Sequence, residues 1–275
     1  VNAVDSSLPP VPETPGKAAA ISAAVDALRI DELRKTFGDT VAVDDVDLSV
    51  PQGAFFGLVG PNGAGKTTLL SMAVGLLTPD RGNAWVSGAA IWPVAGSEQA
   101  KAALGVLPSG LAMPPRLTGA ELLHYLGLLR GMRAAVVKAR TDELLDVLDL
   151  RAAERTLIGD YSTGMQKKIG LAAALLHGPR VLVADEPFEA VDPVSAAVVR
   201  AILDGFLAAG GTVIMSSHVM ALVEQLCDHV AVLDHGRVLR AGTLDQVRAE
   251  LTLQEAFAAL VGAKPPSRGL SWYES

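Results

Sequence analysis

Gly60-Pro61-Asn62-Gly63-Ala64-Gly65-Lys66-Thr67-Thr68 follows the apolar run 54–59 and precedes the helix-compatible stretch 69–76. A G-x-x-x-x-G-K-[ST] run between a strand and a helix is built to hold phosphates. The glycines let the backbone come close to a ligand and turn successive N–H groups inward. The helix N-terminus adds about half a positive charge, and Lys66 adds a whole one. Thr67 then has a hydroxyl to offer to Mg²⁺. A plain glycine turn would not need Lys-Thr at this offset, so residues 60–68 predict nucleotide binding.

Upstream of this loop, the runs 28–33 and 41–50, with 54–59 leading into the loop and 84–86 beyond it, are short, apolar or alternating, and bounded by Gly, Pro and Asp, which predicts strands. From about residue 98 to 153 the spacing becomes helical, notably at 121–129 and at Glu143, Leu144, Val147, Leu148 and Leu150, which predicts an inserted helical lobe. After Ser162, helix and strand alternate: helix 165–176, strand 181–184, helix 193–208, strand 212–215. A hairpin is predicted from 230–233 and 237–240, and one closing helix over 244–261. Such alternation favours a mainly parallel sheet covered by helices.

Val181-Leu182-Val183-Ala184-Asp185-Glu186-Pro187 is an apolar strand that ends in two carboxylates. Burying either unpaired would cost several kcal/mol, so a cation nearby is expected. Taken alone, an acidic strand end reads as a turn. Beside a phosphate loop, Asp185 is suited to hold Mg²⁺ through water and Glu186 to polarise an attacking water, because phosphoryl transfer asks for little else. His218 follows Ser216-Ser217 at another strand end and is a candidate to reach the γ-phosphate or fix the water, although a lone histidine there is commonly structural.

Composition narrows the class. Half of the 275 residues are apolar, enough for one large core, and the formal charge of −7 argues against general nucleic-acid binding. The basic residues Arg130, Arg133, Lys138 and Arg140 read as a solvated helix face. The one cysteine, Cys227, excludes an internal disulfide and reads as a packed helix residue. No stretch of about 20 apolar residues is present, and residues 1–17 lack a secretory pattern. A cytoplasmic protein is therefore expected, with any membrane span supplied by a partner. Residues 1–26, with four prolines at 9, 10, 12 and 15, and residues 263–275 read as tails around a domain at 27–262, its helical insertion at about 98–160.

In order, these pieces resemble the ATP-binding subunits of ABC transporters over roughly residues 28–262. The decisive part is Tyr161-Ser162-Thr163-Gly164-Met165, which resembles the family signature Leu-Ser-Gly-Gly-Gln and is followed by 166–172 as the signature helix. By itself, Ser-Thr-Gly would be only a helix cap. The resemblance implies an α/β fold with a P-loop NTPase core and mainly parallel sheet, an antiparallel β subdomain and an inserted α-helical subdomain. It further implies an ATPase using ATP and Mg²⁺, with Lys66, Glu186 and His218 in catalysis and Thr67 and Asp185 at the metal.

The resemblance also implies a dimer in which Ser162, Thr163 and Gly164 contact the ATP of a second ABC ATPase subunit, while Asp192 links the two sites. Read plainly, Asp192-Pro193 is just a helix start. Phe37 resembles the aromatic that stacks on adenine; its ordinary reading is a core phenylalanine. Residues 253–262 resemble the closing helix of exporter-type ATPases serving multidrug, antibiotic and polymer efflux. The implied protein is peripheral at the cytoplasmic face, bound to a separate membrane subunit.

Ser109, Thr163 and Met165 depart from the family pattern, Met165 standing where the signature ends in a polar residue, a change common in exporter-type members. Ser109 follows 104–108 where a glutamine is usual, so its contact with Mg²⁺ is doubtful. Thr163 replaces a signature glycine, and a twist there would remove hydrogen bonds to a partner's nucleotide worth roughly 1.5–3 kcal/mol each. The leading expectation is a slow transport ATPase. The alternatives are a hydrolysis-impaired regulatory cassette in a heterodimer and a soluble switch ATPase.

Overall fold

In β1 (Leu28–Phe37) and β2 (Thr40–Val50), apolar side chains fall on one face: Leu28, Ile30, Val46 and Val50 are buried while their neighbours meet solvent. The two strands pair antiparallel. With β4 (Arg81–Val86) and β5 (Ala89–Ala90) they form a four-stranded sheet ordered β2-β1-β4-β5. The computed structural model describes residues 26–110 and 112–262, so the two terminal tails expected from the sequence, Asp26 aside, lie outside the described residues.

The second sheet has six strands, ordered β10-β9-β3-β8-β7-β6. These are β3 (Phe55–Val59), β6 (Leu104–Leu107), β7 (Val181–Ala184), β8 (Thr212–Ser217), β9 (His229–Asp234) and β10 (Arg237–Thr243). All neighbours are parallel except the β9–β10 hairpin. Central strands read as unbroken apolar runs because both faces are covered. Phe55 and Val59 enter one core cluster with Leu182, Val213 and Met215; Phe56 and Leu58 enter the other with Val183, Ile214 and Ala231.

The first cluster is roofed by α3 (Gly119–Leu129), α4 (Ala134–Val147), α5 (Thr163–Leu175), α6 (Pro193–Ala208), α7 (Met220–Leu226) and α9 (Leu253–Val261). The second lies against α1 (Lys66–Ala73), α2 (Glu98–Ala103) and the four-stranded sheet. The α/β class with mixed sheets thus agrees with the expectation from sequence.

Several local readings change. Residues 98–107, expected at the start of the helical insertion, form α2 and strand β6 of the main sheet, so the helical insertion lies beyond Leu107. The single closing helix is two helices, α8 (Leu244–Arg248) and α9. The chain breaks at Ala249, whose φ of 51° is left-handed, and restarts on a Thr252–Glu255 capping box. Helix α7 escaped detection because it is short. Cys227 follows it in extended geometry, packed against Gly57 of β3 as expected but outside the helix. Arg140 is only partly solvated: its guanidinium donates to the Leu176 carbonyl at 2.8 Å.

Candidate functional site

Parallel pairing brings four strand ends to one edge. Val59 is in register with Ser217, Ala184 with Met215, and Leu107 with Ala184. The residues that follow β3, β7, β8 and β6 therefore meet there: the glycine loop, Asp185-Glu186, His218 and Ser109.

The glycine loop is held by the chain's own backbone. The Ala64 N–H donates to Pro61 O at 3.1 Å, and the Ala64 carbonyl accepts from Gly236 N–H at 2.9 Å in the β9–β10 turn. Gly65 has φ 102°, and a Cβ there would sit 2.3 Å from the Ala42 carbonyl oxygen, so no other residue fits. The Lys66 ammonium folds over the loop, donating to Gly60 O at 2.8 Å and Pro61 O at 3.2 Å. Burial lowers its pKa from the ordinary lysine value, opposed by the nearby charges of Glu186, Asp185 and Glu189.

The two carboxylates find different partners. Asp185 is 5% exposed and is bound entirely by hydroxyls: Ser109 Oγ donates to Oδ2 at 2.6 Å, and Ser216 Oγ donates to Oδ1. Glu186 lies beside the Lys66 ammonium and the His218 imidazole. Its Oε1 lies 3.1 Å from His218 Nδ1 and 3.8 Å from Lys66 Nζ. Its backbone is left-handed, with φ 48°, and is pinned on both sides: the N–H donates to Ser216 Oγ at 2.9 Å, and the carbonyl accepts from Lys167 Nζ at 2.8 Å. A left-handed non-glycine residue costs of order 1–3 kcal/mol and persists where its surroundings fix it.

The signature segment stands apart. Ser162 and Thr163 are exposed at the start of α5, where Ser162 Oγ accepts from Met165 N–H at 3.2 Å. Thr163 opens the helix in ordinary helical geometry, so the feared twist does not occur. Gly164 is buried against the next helix: a Cβ on it would meet Ser195 Oγ at 2.7 Å and Asp192 Oδ2 at 2.9 Å. Asp192 caps α6 by accepting from Val194 N–H at 3.1 Å and Ser195 N–H at 2.9 Å, and these bonds, the Ser195 amide foremost, lower its pKa. Among the described residues, no hydrogen bond or ion pair joins 162–164 to 60–68.

Phe37 ends β1 on the other sheet, half exposed, with the Lys35 ammonium 5.6 Å from its ring centroid and itself paired to Asp80 at 2.8 Å. Its surface position removes the core reading. Ser216 and Lys167 were visible in the sequence without a role. Only strand register and the seating of α5 against β6, which brings Lys167 to the Glu186 carbonyl, reveal that both act on Glu186.

A sequence profile of the ABC transporter family matches residues 43–189. The chain belongs to that family. It is 37% identical over 224 residues to a daunorubicin resistance ATP-binding protein of Streptomyces coeruleorubidus, a match covering 82% of this chain and 70% of that protein. It is also 37% identical over 218 residues to a linearmycin resistance ATP-binding protein of Bacillus subtilis, covering 78% and 69% respectively. A solved ATP-binding subunit of an ABC transporter superposes with a TM-score of 0.78 at 28% identity, over 86% of this chain and 99% of its own. As a member of the ABC family the chain is a nucleotide-binding ATPase subunit. Among the described residues, no helix is long and apolar enough to cross a membrane.

Proposed function

We propose that this ABC ATPase powers export of a drug-like, lipid or polymer substrate through a separate membrane subunit, docked at the cytoplasmic face and paired with a second ABC ATPase subunit. The observation that carries the chemistry is Glu186, held 3.1 Å from His218 and 3.8 Å from Lys66 at the mouth of the phosphate loop. In this reading residues Gly60, Pro61, Asn62, Gly63, Ala64 and Gly65 wrap the ATP phosphates, Pro61 shaping the turn and the others turning their N–H groups inward, with Lys66, Thr67 and Thr68 completing the site. Phe37 stacks on the base. Glu186 orients the attacking water, and His218 steadies Glu186 and the γ-phosphate.

The donor set fits Mg²⁺. Thr67, Ser109 and Asp185 line one cavity of about 60 Å³. Among the described residues no group of three His, Cys, Asp or Glu is placed to hold a metal. One buried carboxylate with hydroxyls is what a phosphate-borne Mg²⁺ uses, since that ion keeps waters and takes few protein ligands. When bound, it would neutralise charge on the transferring phosphate.

Export is supported by the resistance proteins above and by a Nod factor export ATP-binding protein of Cupriavidus pinatubonensis, 36% identical over 215 residues. The regular geometry at Thr163 supports an active subunit over a hydrolysis-impaired one. The exposed Ser162 and Thr163, with Gly164 packed behind them, would complete the site of the second subunit, with Asp192 carrying information between them.

Glu186→Gln tests this reading. The expected outcome is at least a hundredfold loss of ATP hydrolysis with binding intact, and an ATP-dependent doubling of mass by light scattering. A variant that remains monomeric at saturating ATP and hydrolyses at the wild-type rate would overturn it.

A further inference from the structure

We infer that Ser109 is a positioning residue that sets the Asp185 carboxylate for divalent metal, acting with Ser216 as the second of two hydroxyl clamps. The inference rests on the Mg²⁺ reading above and extends it to a position where the chain departs from its family's pattern.

Asp185 follows β7 and is 5% exposed, so its carboxylate needs donors from the protein itself. It has two, from opposite neighbours in the sheet: Ser216, near the end of β8, takes Oδ1, and Ser109, two residues beyond β6, takes Oδ2 at 2.6 Å. No cation bonds to this carboxylate among the described residues, whereas Glu186 beside it has Lys66 and His218. With both oxygens clamped, the carboxylate plane is fixed before any ligand arrives, so the ordering cost is met on folding.

A serine hydroxyl has one proton and two acceptor lone pairs. Ser109 gives its proton to Asp185, so it presents only acceptor character to the cavity it shares with Thr67. A longer amide would carry its polar end past Asp185 into that cavity; the serine stops at the carboxylate. Ser109 therefore acts on metal through Asp185. It also begins the segment that leaves the core for the helical lobe, so displacement of that segment is felt at the metal-holding acid.

The test is a titration of the full chain with a fluorescent N-methylanthraniloyl ATP, once in EDTA and once in Mg²⁺. Hydrogen bonds to charged groups are the stronger class. Ser109→Ala is expected to bind nucleotide as the wild type does in EDTA and to lose about tenfold of the affinity gained on adding Mg²⁺. Ser109→Thr, which keeps the hydroxyl, is expected to restore that gain. Ser216→Ala is expected to show the same selective loss, which settles the matter if Ser109→Ala folds poorly by circular dichroism. Overturning results are a full Mg²⁺ gain in Ser109→Ala and Ser216→Ala, equal losses with and without metal, or no rescue by threonine. A wild-type chain whose nucleotide affinity ignores Mg²⁺ would remove the metal reading itself, and this inference with it.

Discussion

The phosphate-loop edge and the signature edge of this ABC subunit are built on opposite plans. At the first, every charged group already has a partner within the chain: Lys66 is on Gly60 O, Asp185 on two serines, and Glu186 on His218. At the second, Ser162 and Thr163 face solvent, and Gly164 is packed so tightly on Asp192 and Ser195 that it carries no freedom of its own. One edge is a preorganised pocket; the other is a rigid display. A preorganised pocket can bind a nucleotide alone, whereas a display acts only on what is brought to it. The contrast fits a division in which one chain's loop supplies binding and another chain's signature supplies closure.

Lys66→Ala should break the first edge most severely. It removes the one ammonium over the loop, and ATP affinity by calorimetry is expected to fall at least a hundredfold, with hydrolysis lost as a result. Retained binding would mean that the loop amides alone suffice.

Gly164→Ala probes the second edge. Its new methyl group must displace Ser195 or the Asp192 cap, worth about 0.5–2 kcal/mol of stability. Hydrolysis is expected to drop roughly tenfold, while ATP affinity of the dilute chain stays within twofold. Equal losses of both would erase the distinction between the edges.

The smallest effect concerns neither edge and serves as a reference. His177 Nε2 lies 3.1 Å from Leu104 O, Nδ1 is buried without a partner, and burial with help from Arg130 and Arg140 pushes its pKa down to about 4. The folded imidazole thus resists the proton that the unfolded chain accepts near 6.5. Its contribution to stability is full above pH 6.5 and is lost as pH falls from there towards 4. Partial exposure trims this to the order of 1 kcal/mol. His177→Gln should flatten that part of the urea-midpoint profile, leaving nucleotide binding at pH 7 unchanged.

Much of the site was legible because its chemistry is local. The Lys-Thr at the end of the glycine run and the two carboxylates after 181–184 each declare a role through neighbours in sequence. Ser109 was legible only as a missing glutamine: its bond to Asp185 spans 76 residues and depends on the β6–β7 register. Lys167 was hidden in the same way, since nothing in a helix sequence says that its ammonium reaches a carbonyl 19 residues on. The break at Ala249 is hidden because apolar spacing continues across it, and the start of the helical insertion is blurred because a four-residue strand such as β6 has too few residues to show a period.

The sequence by itself determined the phosphate loop, the alternation of strand and helix after Ser162 up to residue 215, the acidic strand end and the ABC family, because each is written in contiguous residues with fixed spacing. Only the tertiary structure decided which partners those residues have. It placed Asp185 among hydroxyls and Glu186 beside the Lys66 ammonium and the His218 imidazole, though the two are adjacent in the chain. The physical reason is that successive residues at a strand end face different neighbours, and the neighbours come from parallel strands joined by long crossovers whose register no local pattern encodes.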